Sequence, residues 1–150
     1  MMQYNGEIML EKKLHNVRYA IKGIRIAWRE EISFRLQSFA AVLVSLLGWL
    51  FDITAIEWIA VILTMGSVLS AEAFNTALEE LCDKYKSGHD PHIGKIKDLA
   101  AASVLIASFA ALIVGAIIFL PRISLIGLTQ MDAVRGAQTK YHEAYYAYVE

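Results

Sequence analysis

The chain has 150 residues, 57% of them hydrophobic, and a mean hydropathy of +0.44, which is too apolar for an ordinary soluble domain of this size and favours a membrane protein. A net charge of −1 gives none of the basic excess of a nucleic-acid binder, and a single cysteine, Cys82, excludes an internal disulfide framework. The first 35 residues are charge-rich and hold no uninterrupted apolar core before a small-residue cleavage site, so no cleavable signal is expected.

Residues 1–11 are read as a lead. In the segment that follows, Leu14, Val17, Ile21, Ile24 and Trp28 recur at steps of three and four, which gathers them on one face of a helix. Arg18, Lys22, Arg25 and Arg29 form a cationic stripe beside that face. An apolar strip edged by cations suits a helix lying in the membrane interface, and an ordinary amphipathic helix packed on its own protein fits the pattern too. Lys12, Tyr19 and Gly23 fall on the far side, and "WREEISFR" then places Glu30 and Glu31 just ahead of the first apolar run.

Three runs contain no Asp, Glu, Lys or Arg: Leu36 to Phe51, Trp58 to Ala71 and Leu99 to Leu120. Only the third reaches the usual spanning length of about 20 residues unaided, so the first two could be core helices of a soluble bundle. Trp49, Phe51 and Trp58 flank the gap between them as interfacial aromatics would, and residues 54–56 can lengthen the second, which favours three tilted spans. Of the 14 Lys and Arg, seven precede the first run and four (Lys84, Lys86, Lys95, Lys97) lie between the second and third. The positive-inside rule therefore puts the N-terminus and the 84–98 loop in the cytoplasm and the C-terminus outside.

The second run continues without a break in pattern into "AEAFNTALEELCD", residues 71–83. On a helix Glu72, Asn75, Glu79 and Asp83 share an arc of about 80°. A carboxylate in hydrocarbon costs about 2.5–3.5 kcal/mol, less near the interface, so it has a partner or a task. It could be a polar seam between helices, or a site at the lipid–water boundary. Carboxylates with an amide are hard oxygen ligands suited to Mg²⁺, and "GKIKD", Gly94 to Asp98, supplies cations for phosphate at the mouth of the third run. No Walker A loop is present, because Gly88 and Gly94-Lys95 are wrongly spaced and Ile96 stands where Ser or Thr is needed. His89 and His92 lack further ligands for zinc and read as loop histidines.

Together "EAFNTALEELCD", "GKIKDLAAASVLI" and "YAIKGIRIAWREEISFR" resemble the small bacterial integral-membrane diacylglycerol kinases, a family that includes undecaprenol kinases, over residues 12–121. The resemblance implies an all-α membrane protein with one amphipathic surface helix and three transmembrane helices, assembled as a homotrimer in the inner membrane with sites shared between subunits. It implies transfer of the γ-phosphoryl of ATP, with Mg²⁺, to a membrane lipid alcohol. Diacylglycerol is the expected acceptor and undecaprenol the alternative. By motif, Glu72 matches the general base, Glu31 and Glu79 the metal-binding carboxylates, and Asn75, Lys97 and Asp98 other polar residues of the site. Lys12, Tyr19 and Asp83 match positions associated with nucleotide binding. Departures from the family pattern are Ala20 and Ala101 where relatives often carry Ser, and Gln37 where they often carry an acid.

Residues 122–150 lie beyond the resemblance. Tyr141, Tyr145 and Tyr148 share a helical face there, as an interfacial anchor would, but the segment has too few aliphatic residues for a core and is expected to be a poorly ordered extension. The rival class is a non-enzymatic cation-binding membrane assembly protein, which explains the acidic stripe but not the Lys97-Asp98 pair or the amphipathic helix.

Overall fold

A computed structural model describes residues 2–85 and 90–149, and these form four helices: α1 (Met2–Glu30), α2 (Ile32–Leu50), α3 (Ala55–Tyr85) and α4 (Pro91–Val149). Residues 86–89, with Lys86, Gly88 and His89 of the expected cytoplasmic loop, lie outside the described residues. Helices α2, α3 and α4 are each long and apolar enough to cross a bilayer by length and composition. They contain the charge-free runs except for Phe51, which caps α2, and α3 carries its helix unbroken through residues 71–83, as the continuous pattern predicts.

One extended residue separates α1 from α2. Glu31 has φ −108° and ψ 120°, and its carboxylate makes no capping bond to α2. Ala27 is buried and the Trp28 ring packs on Phe39, yet Val17, Ile21 and Ile24 stay more than half exposed. The apolar stripe of α1 is thus not buried on this chain.

The α2–α3 turn is tightly specified. Asp52 adopts a left-handed φ of 48°, which a short acidic side chain tolerates. Gly48 faces Ile53 and the Trp58 ring, each 3.0 Å from where a Cβ would sit. Helix α3 then opens with a capping box: Glu57 Oε2 accepts from Thr54 N at 2.7 Å, and Glu57 N donates to Thr54 Oγ1 at 3.3 Å. The packed core lies at this end, where Ile53, Val61, Ile118 and Phe119 are buried against Val44, Leu47, Trp58 and Met65. Helices α3 and α4 make the most extensive pairing.

Arg122 completes that end. Its guanidinium donates to both Glu57 oxygens, at 3.0 and 2.9 Å, and to the carbonyl of Ile118 at 2.6 Å. This fork closes α3 onto α4 one residue after Pro121, which lacks the N–H that would bond the carbonyl four residues back. Beyond it α4 continues as helix to Val149. The expectation of a poorly ordered extension is therefore corrected to a helix. Its Ala, Gln, Met, Lys and Arg are good helix formers, so helix needs no core there. Its large apolar side chains, including Met131, Val134 and Tyr141, are exposed.

Candidate active site

The acidic stripe of α3 occupies the end of the bundle opposite the packed core. Because α3 rises about 1.5 Å per residue, Glu72 and Glu79 are about 10 Å apart along the axis and Asp83 lies about 6 Å further on. Each residue of the stripe has a different surrounding, set by the helix it meets.

Glu72 is the one buried charged residue among those described, at 5% exposure. Its Oε2 accepts a hydrogen bond from Gln37 Nε2 of α2 at 3.0 Å, while Oε1 takes none among the described residues. A turn further, Asn75 Nδ2 donates to Glu79 Oε1 at 2.9 Å. The amide carbonyl oxygens of both Gln37 and Asn75 are buried without a hydrogen-bond partner. A buried acceptor left open is costly unless a donor or cation from outside these contacts fills it. Near the end of α3, Asp83 pairs with Lys97 at the start of α4. Asp98 is exposed beside it.

Glu31 is half-buried at the α1–α2 break and forms no ion pair or side-chain hydrogen bond among the described residues. Tyr19 is exposed on α1, its ring edge-to-face with His15 at 4.7 Å. Lys12 lies on α1 and its side chain is outside what the structure describes. Three couplings thus form, Gln37 with Glu72, Asn75 with Glu79 and Asp83 with Lys97, and among the described residues no hydrogen bond or ion pair joins Tyr19 or Glu31 to them.

Two mostly apolar clefts lie near the stripe, one at Asn75 and one at Gln37. One, of about 460 Å³, runs between α3 and α4 and is lined by Ala71, Phe74, Asn75, Leu99 and Ser103. The other, of about 200 Å³, lies among α2, α3 and α4 and is lined by Gln37, Ala40, Val44, Val68 and Ser108. Mostly apolar space therefore reaches the two amides that hydrogen-bond to the stripe's glutamates, Gln37 in one cleft and Asn75 in the other.

Among the described residues, no three His, Cys, Asp or Glu side chains converge as a cage for a metal ion. The donors that are present, the Glu79 carboxylate and the open Asn75 Oδ1, are hard oxygens and fit Mg²⁺, which characteristically takes one or two carboxylates and completes its shell with water and phosphate.

Two polar contacts escape sequence reasoning. Gln37 registers there only as a departure from a pattern, although a lone amide in an uncharged run is itself a signal for a buried partner. The Arg122–Glu57 fork joins residues 65 apart, and only its Thr54-x-x-Glu57 half is legible as a capping box.

The prokaryotic diacylglycerol kinase family model matches residues 18–119. An undecaprenol kinase of Bacillus subtilis is 34% identical over 105 residues, covering 70% of this chain and 85% of that protein. A diacylglycerol kinase of Escherichia coli K12 is 34% identical over 95 residues, covering 63% and 78%. A diacylglycerol kinase of Synechocystis is 37% identical over 109 residues, covering 72% and 62%. The match takes in the whole α3 stripe, Glu31, Tyr19 and the Lys97-Asp98 pair, and stops short of Arg122 and the helical tail. The chain belongs to the prokaryotic diacylglycerol kinase family, and it is an enzyme of that lipid-kinase class.

Proposed function

We propose that the protein transfers the γ-phosphoryl group of ATP to the primary hydroxyl of a membrane lipid, with diacylglycerol as acceptor and phosphatidic acid as product. The observation that carries this is Glu72: a carboxylate buried in a helix apolar enough to span a bilayer, with one oxygen held and one free. A lipid hydroxyl stays near the interface, and Glu72 is the acid of the stripe that lies deepest along α3. It takes the hydroxyl proton as the oxygen attacks phosphorus. Phosphoryl transfer otherwise asks for positioning and charge neutralisation rather than covalent chemistry by the protein.

Glu79 with Asn75, and Glu31 from the α1–α2 break, are the residues that would hold Mg²⁺; the ion, when bound, offsets negative charge on the phosphates. Lys97, fixed by Asp83 at the start of α4, supplies a cation for the same phosphates, and Asp98 stands beside it. Lys12 and Tyr19 of α1 belong to the nucleotide side of the site.

The chain sits in the bacterial inner membrane with α2, α3 and α4 as its three spans and α1 on the cytoplasmic surface, where its exposed apolar stripe meets lipid and its cations meet headgroup phosphate. The N-terminus and the 84–98 loop are cytoplasmic and the tail is outside. Three copies form a homotrimer in which Glu31 and α1 of one subunit can serve the stripe of another.

A second acceptor, undecaprenol, is favoured by the Bacillus subtilis relative, whose name is undecaprenol kinase. Both lipids offer one primary hydroxyl on a long apolar body. Purified protein with MgATP, offered diacylglycerol and undecaprenol separately in matched bilayers, separates them. A kcat/KM at least tenfold higher for diacylglycerol is the expected result, and the reverse preference would reassign the enzyme.

A further inference from the structure

The hydrogen bond between Gln37 and Glu72 joins two helices at the only buried charge among the described residues. An ionised carboxylate only accepts, so the amide must face it through Nε2, and the amide carbonyl is thereby turned away. The structure has this arrangement: Nε2 lies 3.0 Å from Glu72 Oε2, and Gln37 Oε1 is buried with no partner. Glutamate has three rotatable bonds, and among the described residues no other hydrogen bond or ion pair fixes the Glu72 carboxylate.

We infer that Gln37 is a positioning residue for the phosphoryl-transfer reaction: it clamps Oε2 of Glu72 so that Oε1 alone is presented to the lipid hydroxyl. This rests on Glu72 being the base. Gln37 also lines the apolar cleft among α2, α3 and α4, so the residue that holds Glu72 stands at the edge of that space. An amide donates a hydrogen bond without having to carry a titrating proton. A carboxylic acid at this position could donate to Glu72 only in its protonated form, so the amide makes the clamp permanent where an acid makes it conditional. A positioned base raises the rate of the bound complex without adding affinity for ATP, so its loss falls on kcat.

The test is initial-rate kinetics with MgATP, in dioleoylglycerol-containing and undecaprenol-containing bilayers, for the full-length protein and four variants: Gln37→Met, Gln37→Leu, Glu72→Gln and the Gln37→Met/Glu72→Gln double. Methionine keeps the length and flexibility of the side chain and removes the donor; leucine repeats the loss of the donor with a different shape. Thermal unfolding in the same detergent accompanies each. The expected result is a fall in kcat of about tenfold or more for Gln37→Met and Gln37→Leu, with KM for MgATP within about twofold of wild type. In the Glu72→Gln background, removing Gln37 should change kcat by less than about twofold, because the clamp has nothing left to position. An unchanged kcat in Gln37→Met, or a loss of the same size with and without Glu72, would overturn the inference and leave Gln37 as a packing residue. Full activity in Glu72→Gln would instead defeat the assignment of the base, an outcome read from a different variant.

Discussion

Seven residues separate Glu72 from Glu79, and the two carboxylates have different company. Glu72 is buried and tied to an amide on α2, whereas Glu79 is half-buried and tied to Asn75 on its own helix. At about 10 Å along the axis they cannot share one proton, so their substitutions should fail in different ways. Glu79→Gln keeps the shape and removes a charged oxygen ligand, and it should raise the Mg²⁺ concentration needed for half-maximal rate, with Glu31→Gln behaving alike. Initial rates against Mg²⁺ at saturating lipid check this. Rescue of Glu72→Gln by excess Mg²⁺, with no rescue of the other two, would exchange the roles of base and metal ligand. The carboxylate stripe was legible from spacing alone, since helical periodicity puts residues 72, 75, 79 and 83 on one arc. The Gln37 partnership was not, because which residue of α2 meets Glu72 depends on how the two helices pack, and a single sequence carries no record of that.

At the scale of the elements, the ends of α3 do opposite things. Its first turn is pinned by the Thr54–Glu57 capping box and by the Arg122 fork, with both side chains of the fork about a quarter exposed. The far end carries the proposed site, and no residue assigned to it belongs to the pinned end. Glu57→Gln and Arg122→Ala should therefore each lower the unfolding midpoint in detergent while leaving kcat of assembled protein within about twofold. The double variant should lose less stability than the sum of the two singles, because the fork is lost in all three, while Glu57 also caps α3 and Arg122 also bonds Ile118. Fully additive losses would show that the fork is not a unit. The Arg122 fork also refines where the chain can be cut. A stop after Arg122 keeps the fork and should leave lipid phosphorylation within about threefold, under about 0.7 kcal/mol of barrier, whereas a stop after Leu120 removes it and should reduce stability. That the chain forms several long apolar helices was readable from charge and periodicity. The tail was not, because scarcity of aliphatic residues indicates the lack of a core, and a helix of good formers does not require one.

For the molecule as a whole, the buried core is small and most large apolar side chains of α2, α3 and α4, such as Leu105, Ile106 and Phe109, are exposed on the single chain. Only lipid or neighbouring subunits can cover them, which is why composition announced the class before any motif did. With eleven of the fourteen basic residues ahead of the first charge-free run or between the second and third, single cysteines replacing Lys84 or Lys95, in an otherwise cysteine-free background, should react with impermeant reagents from the cytoplasmic side. One replacing Lys140 should react from outside. Cytoplasmic labelling at 140 would require an even number of spans. The central claim is that the buried carboxylate of α3 serves lipid phosphorylation. Its most direct test is label transfer from γ-labelled ATP to diacylglycerol in bilayers, comparing the wild-type chain with Glu72→Gln. Labelled phosphatidic acid from the wild type, and a rate lower by about 10² to 10⁴ in the variant at an unchanged Mg²⁺ requirement, is the predicted result. Equal rates in the two proteins, or no labelled lipid from either diacylglycerol or undecaprenol with correctly assembled wild type, would contradict it.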